Sequence, residues 1–172
     1  MLGFGSEEYN KTITIPKIIR SNMMGDYIVT PEGIELNGTV TLIDTDIPIL
    51  PVKFHSVKKY FVCKNCKLTS LKNFPMYVGI DFAIPNNEVT SLEGGPTQVG
   101  QHYLCNNNKL KNLIGAPTEI NGKFSAEHND LTSLEGCPKI VTGHFSIMHN
   151  RGRKFTEEEV RDVCDVGGPL DV

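Results

Sequence analysis

Prolines recur every 21 residues through the middle of this chain, at Pro75, Pro96, Pro117 and Pro138. Four segments cut on this spacing from residue 60 to residue 143 align without a gap: YFVCKNCKLTSLKNFPMYVGI, DFAIPNNEVTSLEGGPTQVGQ, HYLCNNNKLKNLIGAPTEING and KFSAEHNDLTSLEGCPKIVTG. A fixed period of this length is the signature of repeat architectures, in which similar units stack on one another. The period therefore predicts a solenoid whose coils each contain 21 residues.

Five positions of the repeat are apolar in almost every segment, counting Tyr60 as position one. Position two holds Phe61, Phe82, Tyr103 and Phe124, position four Cys63, Ile84, Cys105 and Ala126, position nine Leu68, Val89, Leu110 and Leu131, position twelve Leu71, Leu92, Leu113 and Leu134, and position nineteen Val78, Val99, Ile120 and Val141. Positions two and four are spaced as in a short strand, and one 21-residue unit cannot close the resulting core alone. The frame extends upstream to residue 39 and downstream into a coil that loses the pattern at Gly152, which makes five full coils and a partial one.

Asparagine occupies position seven in four successive coils, at Asn87, Asn108, Asn129 and Asn150. At this point the chain turns off the predicted strand, where backbone groups would otherwise be buried without partners. Stacked amide side chains can bond such groups in neighbouring coils. We therefore predict a structural role for these asparagines.

The pattern aromatic-x-Cys-x-x-Asn-x-Leu-x-x-Leu resembles the leucine-rich-repeat core L-x-L-x-x-N/C-x-L, with Phe or Tyr in place of the first leucine. The segment LTSLEGxPxxVxG, at residues 131–143 and with small changes at 89–100, is similar to short leucine-rich repeats of tailed-phage, large DNA virus and bacterial proteins. The resemblance implies an α+β repeat solenoid of about six coils with a parallel β-sheet on its concave face. Most members of this family are interaction modules, and a phage-encoded member would act on a host protein.

Terminal coils expose a cross-section of the core and need caps. The sequence predicts a different kind of cap at each end of the repeat array. Residues 1–38 are predicted to form an N-terminal cap with a β-hairpin around Thr30-Pro31-Glu32-Gly33, and Thr12–Ile15 could add another strand. The repeats span residues 39–155. Residues 156–172 are predicted as a capping helix and a tail, with Thr156 and Glu159 forming a capping box, a helix over about 157–165 and a stop at Gly167-Gly168-Pro169.

Composition narrows the class of protein. The formal net charge of −3 and the absence of any run of five or more like charges argue against nucleic acid as a partner. No basic and apolar leader and no long apolar stretch appear, so we expect a soluble protein of the cytoplasm, or of the host cytoplasm if it is phage-encoded, with no membrane contact. Five cysteines without a secretion signal are expected to stay reduced.

Three features could carry chemistry, and the repeat offers a simpler account of each. Cys63-Lys64-Asn65-Cys66 has the spacing of a zinc or redox motif, yet Cys63 falls on an inward position and Cys66 on the asparagine position. His128 and His149 share position six and should lie about 5 Å apart in adjacent coils, where they could hold a metal or move a proton, or simply replace surface asparagines. No phosphate-binding, dinucleotide-binding, metalloprotease or hydrolase motif occurs. We expect no enzyme, no metal and no cofactor.

The outward residues of the predicted strands, at positions one, three and five, are the candidate binding site. In leucine-rich repeats these positions line the concave face, and here they vary while the core positions do not. The predicted protein-binding residues are Tyr60, Val62, Lys64, Asp81, Ala83, His102, Leu104, Asn106, Lys123, Glu127, His144 and Met148. The expected function is a non-enzymatic module that binds a protein, namely a phage-type factor that binds and inhibits or redirects a host protein. Two alternatives stay open: a virion-associated or self-assembling structural protein, and a metal-dependent hydrolase. A homo-oligomer is also left open.

Overall fold

The computed structural model describes residues 14–172, and these form a parallel-strand β-solenoid of about seven turns with little helix. Two columns of short strands run along the stack. The major column contains the end of β2 (Gly33–Ile43), β4 (Phe61–Lys64), β6 (Phe82–Ala83), β8 (Tyr103–Leu104), β10 (Phe124–Ser125), β12 (Phe145–Ser146) and β14 (Leu170–Asp171). The minor column contains the start of β2, then β3 (Phe54–Val57), β5 (Tyr77–Val78), β7 (Gln98–Val99), β9 (Glu119–Ile120), β11 (Ile140–Val141) and β13 (Asp165–Val166).

The register of the columns follows the 21-residue period. Phe61 pairs with Phe82, Phe82 with Tyr103, and Tyr103 with Phe124, all parallel. The same offset holds in the minor column, where Val57 pairs with Val78 and Val78 with Val99. The sequence predicted burial at position nineteen but not this second column, because in the four aligned coils only one residue of each two-residue minor strand is apolar and inward.

The predicted core positions are buried. All residues at positions two, four, nine and nineteen of the aligned coils are at most 5% exposed, and Leu134 is the one member of position twelve that is only partly buried. The aromatic rings of position two form a continuous row, with centroid separations of 6.3 Å from Phe61 to Phe82, 4.9 Å from Phe82 to Tyr103 and 5.9 Å from Tyr103 to Phe124. The position-two ring of each of these coils therefore packs against the position-two ring of the next coil.

The position-seven asparagines bond the backbone of two coils at once, as predicted. The Asn87 Oδ1 accepts the backbone N–H groups of Cys66 at 2.9 Å and Leu68 at 3.1 Å, in the preceding coil. Its Nδ2 donates to the carbonyl oxygens of Cys63 at 2.8 Å and Ile84 at 3.0 Å. Asn150 repeats this pattern in full. Asn108 and Asn129 repeat it with one accepted N–H each. The amides thus replace backbone partners where the chain leaves the strand.

At the N-terminus, β1 (Met23–Thr30) pairs antiparallel with β2 along its whole length. The β2 strand then continues into the first coil and contributes to both columns, so the predicted boundary between residues 38 and 39 lies within one strand. A short helix, α1 (Lys17–Arg20), precedes β1. Residues 12 and 13 of the predicted extra strand lie outside the described residues, and Thr14 and Ile15 are not in a strand.

The C-terminal region differs from its prediction. The helix α2 (Glu157–Arg161) has Thr156 as its N-cap and the predicted capping box with Glu159, but it has five residues and ends well before residue 165. The chain then returns to both columns as β13 and β14, so the segment predicted as a tail is part of the stack. Phe145 lies opposite Leu170, an offset of 25 residues, because this coil carries four extra residues. Gly167 and Gly168 pack against Thr142 and Gly143, in the bend that connects the two columns.

No helix in the part of the chain that the structure describes has the length and apolar character needed to cross a membrane.

Candidate functional site

The predicted binding residues lie on the outward side of the major column. We call its outward positions one, three and five the front face. Position one directly precedes each strand from β4 onward and position three lies within it, while position five ends β2 and β4 and lies two residues beyond the shorter strands of the later coils. The structure places on this face Tyr60, Val62, Lys64, Asp81, Ala83, His102, Leu104, Asn106, Lys123, Glu127, His144 and Met148. Their accessibility is uneven: Tyr60 and Lys64 are exposed, Ala83 is buried, and the other nine are partly buried.

The N-terminal end of the front face is apolar and accessible. Ile43 at the end of β2 is 48% exposed and Tyr60 before β4 is 40% exposed. Ile43 pairs with Lys64, and Thr41 pairs with Val62, so these side chains stand on adjacent strands. Covering exposed apolar side chains of this kind with a partner lowers the free energy of the complex. Ile43 was not among the predicted site residues, although it shares position five with Lys64.

The C-terminal end of the front face is polar and internally bonded. The Asp81 Oδ1 accepts the backbone N–H of His102 at 3.1 Å, and the His102 Nδ1 accepts the backbone N–H of Lys123 at 2.9 Å. This second bond fixes the neutral His102 tautomer with its proton on Nε2. His144 Nε2 lies 2.7 Å from Asp171 Oδ2, which joins position one of the sixth coil to β14. These side chains hold neighbouring coils together as well as facing solvent.

Glu127 lies at the centre of the polar end. Its Oε1 accepts a hydrogen bond from the Ser125 hydroxyl at 3.2 Å and lies 3.5 Å from the Lys123 Nζ. Burial acts to raise the pKa of Glu127, but hydrogen bonds from serine hydroxyls and the positive charge of Lys123 outweigh it, so this pKa lies below its usual value. Glu127 is therefore a carboxylate at neutral pH, available to a cationic group of a partner.

The histidine pair lies outside the front face, at position six. The rings of His128 and His149 stack with centroids 4.7 Å apart and an interplanar angle of 21°. Both residues have a left-handed backbone, with φ of 53° and 58°. The same conformation occurs at position six in every preceding coil, at Asp44, Asn65, Asn86 and Asn107. Asn, Asp and His are the non-glycine residues most often found there, which explains the composition of this position.

The cysteine motif has a structural arrangement. Cys63 and Cys66 are both fully buried and free. The Cys66 Sγ donates to the carbonyl oxygens of Lys64 at 3.3 Å and Leu42 at 3.4 Å, in the position that asparagine takes in later coils. Burial raises the pKa of the Cys63 thiol. Between residues 14 and 172, no three His, Cys, Asp or Glu side chains come together in a group that could hold a metal ion.

A regular feature that the sequence reasoning missed lies at position eight. The six coils carry Asp46, Lys67, Glu88, Lys109, Asp130 and Arg151 there, so the sign of the charge alternates along the stack. The signal was present in the aligned segments, because no other position of the repeat is charged in every coil. Position eight does not stand out when constant apolar positions are compared, because its residue type and sign change from coil to coil although it is always charged.

Comparisons with protein-family models, curated proteins and solved structures give no match for this chain. The class of protein therefore rests on the fold and on the surfaces described above.

Proposed function

We propose that this chain is a leucine-rich-repeat type module that binds a protein through its front face and catalyses no reaction. The single observation that carries the proposal is the accessibility of Ile43, Tyr60 and Lys64, of which Ile43 and Lys64 face each other on adjacent strands and Tyr60 directly precedes β4. We define these three residues as the front patch. Beside it the front face continues with half-buried Val62 and Leu104, and then with charged side chains.

The dimensions of the front face suit a protein ligand. Seven strands with a spacing of roughly 4.8 Å give a surface about 29 Å long. A standard interface buries about 800 Å² on each partner and has an apolar centre with a polar rim. A partner that covers the front patch and reaches Glu127 would contact both an apolar and an ionic region. We propose a host protein as the partner and inhibition or redirection of that protein as the outcome, in keeping with the phage-type repeat pattern. In this proposal α2, whose Val160 is fully buried, covers the last coil as a cap.

The experiment is a quantitative pull-down from bacterial lysate with the wild type and the variant Ile43→Ser/Tyr60→Ala/Lys64→Ala. A matched control is Met76→Ser/Tyr77→Ala/Lys139→Ala, which also removes one aliphatic, one tyrosine and one lysine side chain. Met76 and Tyr77 are 56% and 37% exposed and lie on the minor side of the stack. Circular dichroism and thermal unfolding of all three proteins establish that each is folded.

The proposal predicts one host protein that the wild type and the control retain and that the front variant loses. Retention by all three proteins would place the binding site elsewhere and refute the assignment of the front face. If the wild type retains no partner at all, the module does not act on a host protein.

A further inference from the structure

The position-eight charges form one column along the stack. Backbone hydrogen bonds between neighbouring coils set this arrangement, since Glu88 N donates to Leu68 O, Lys109 N to Val89 O and Asp130 N to Leu110 O. We call Asp46, Lys67, Glu88, Lys109, Asp130 and Arg151 the charge column and number its members one to six. Their side chains are between 35% and 75% exposed.

Within the chain the column forms three separate ion pairs. Lys67 Nζ lies 2.7 Å from Asp46 Oδ2, Lys109 Nζ lies 2.9 Å from Glu88 Oε2, and Arg151 Nε lies 3.1 Å from Asp130 Oδ1. Members one and two, three and four, and five and six are therefore paired. Three pairs of this kind need opposite charges only within each pair. Nothing in these pairs requires the acidic residue to come before the basic one along the column, yet it does so in all three.

This common order has a consequence for symmetry. An alternating column with an even number of members is complementary to itself when it is reversed. A two-fold axis that passes between members three and four, perpendicular to the stack, places member one opposite member six of a second copy, two opposite five, and three opposite four. All six facing pairs then have opposite charges, and the contact is isologous, as in most homodimers.

We propose that the charge column is an interface between two copies of this chain, which associate side by side and antiparallel about this two-fold axis. The column spans five steps of roughly 4.8 Å, about 24 Å in all. In such a dimer each charged group gains a second neighbour of opposite sign without losing the first. The flanking position-six side chains are polar, so this interface lacks an apolar centre. Exposed ion pairs are weak and are screened by salt, and the dimer is accordingly weak and salt-sensitive.

Charge swaps within a pair separate this interface from the intrachain ion pairs. The variant Asp46→Lys/Lys67→Asp keeps an opposite pair inside the chain but places like charges opposite members six and five of the second copy. The variant Asp130→Arg/Arg151→Asp does the same from the other end. The control Glu88→Lys/Lys109→Glu keeps every facing pair opposite. All three variants keep the formal net charge of −3.

Sedimentation equilibrium at ionic strengths of about 0.02 M and 0.5 M, where the Debye length falls from roughly 20 Å to about 4 Å, measures association for each protein. We expect a monomer–dimer equilibrium at low salt for the wild type and the control, with dissociation constants within about twofold of each other. Each end-swapped variant should associate at least tenfold more weakly. An equimolar mixture of the two end-swapped variants should associate again, because the column of one is complementary to the reversed column of the other.

Several results would overturn the proposal. One is a wild type that stays monomeric at low salt up to about 1 mM. Another is equal association of the wild type and both end-swapped variants. A mass that grows beyond the dimer with concentration would indicate a head-to-tail contact in place of a two-fold one. Failure of the mixture to associate, with both variants folded by circular dichroism, would show that the swaps act through something other than facing charges.

Discussion

Replacing Tyr103 with phenylalanine should stabilise this protein. Tyr103 is fully buried in the aromatic row, and its hydroxyl has no hydrogen-bond partner among the residues that the structure describes. The other aligned coils have phenylalanine at this position. Tyr103 therefore adds a hydroxyl to the row and leaves this polar group without a partner.

The size of the effect follows from two opposing terms. A buried hydroxyl without a partner costs about 1–3 kcal/mol relative to its hydrated state in the unfolded chain. Removing the oxygen also removes a few van der Waals contacts of about 0.1–0.2 kcal/mol each. We expect a net gain of about 1 kcal/mol in the free energy of unfolding, and in urea this raises the midpoint by roughly 0.5 M with an unchanged slope.

Two variants serve as controls for this measurement. Tyr60→Phe, at an exposed position, should change the free energy of unfolding by less than about 0.5 kcal/mol. Phe124→Tyr adds a hydroxyl to the same row and should destabilise the protein. A urea midpoint for Tyr103→Phe at or below that of the wild type would refute the reasoning, because the hydroxyl would then be contributing to stability.

Alkaline pH gives an independent test of the same group. Burial raises the pKa of the Tyr103 phenol well above its ordinary value, whereas in the unfolded chain it titrates near 10. The stability that depends on the neutral phenol is therefore fully present below about pH 10 and is lost as the pH rises above it. Above this pH the wild type should lose up to about 1.4 kcal/mol more per pH unit than Tyr103→Phe.

Three further predictions concern other positions of the repeat. Asn108→Ala removes the acceptor of the Val89 N–H and the donor to Ile84 O, and should cost about 2–4 kcal/mol in urea unfolding, against less than about 0.5 kcal/mol for Asn106→Ala; equal effects would contradict a structural role for the buried amide. At position six, His128→Val should be less stable than His128→Gly by about 1–2 kcal/mol in thermal unfolding, because both lose the stacking with His149 but only valine resists the left-handed backbone; valine matching glycine would argue against it. Burial raises the pKa of the Cys105 thiol, so the stability that depends on the neutral thiol is complete below about pH 8.5 and declines as the pH rises. Under reducing conditions, Cys105→Ala should therefore be less stable than the wild type at pH 7, and the difference should shrink by pH 10. A difference that stays constant would refute the raised pKa of this thiol.

The 21-residue period made the solenoid and its core predictable, because each inward position recurs in register with its neighbours. Asn87 shows why this worked for the polar interior as well, since an amide repeated at one position has one plausible set of backbone partners. The C-terminal coil was beyond the same reasoning. Its four extra residues shift Val166 out of alignment with Val141, and a single displaced coil has no repeat of its own to reveal the new offset.

The candidate site was predictable in place but not in accessibility. Spacing located Tyr60 and Ala83 on the same outward side of the strands, yet one is exposed and the other buried. Spacing assigns a side chain to one side of a strand but does not give its exposed fraction, which depends on how its neighbours pack in the assembled stack. The charge column could be predicted from the sequence, but only by comparing the charge at each position of the repeat and not the residue type.

The uniform offset between neighbouring coils also bears on how this chain reaches its native state. Nearly all strand pairings join residues about 21 positions apart, so the relative contact order is on the order of 0.12, close to that of helical bundles and mixed α/β domains and below that of most all-β folds. No distant segment has to be found, and a coil can add as soon as its predecessor is in place. This chain, although its regular structure is almost wholly β-strand, should fold in milliseconds by growth along its axis.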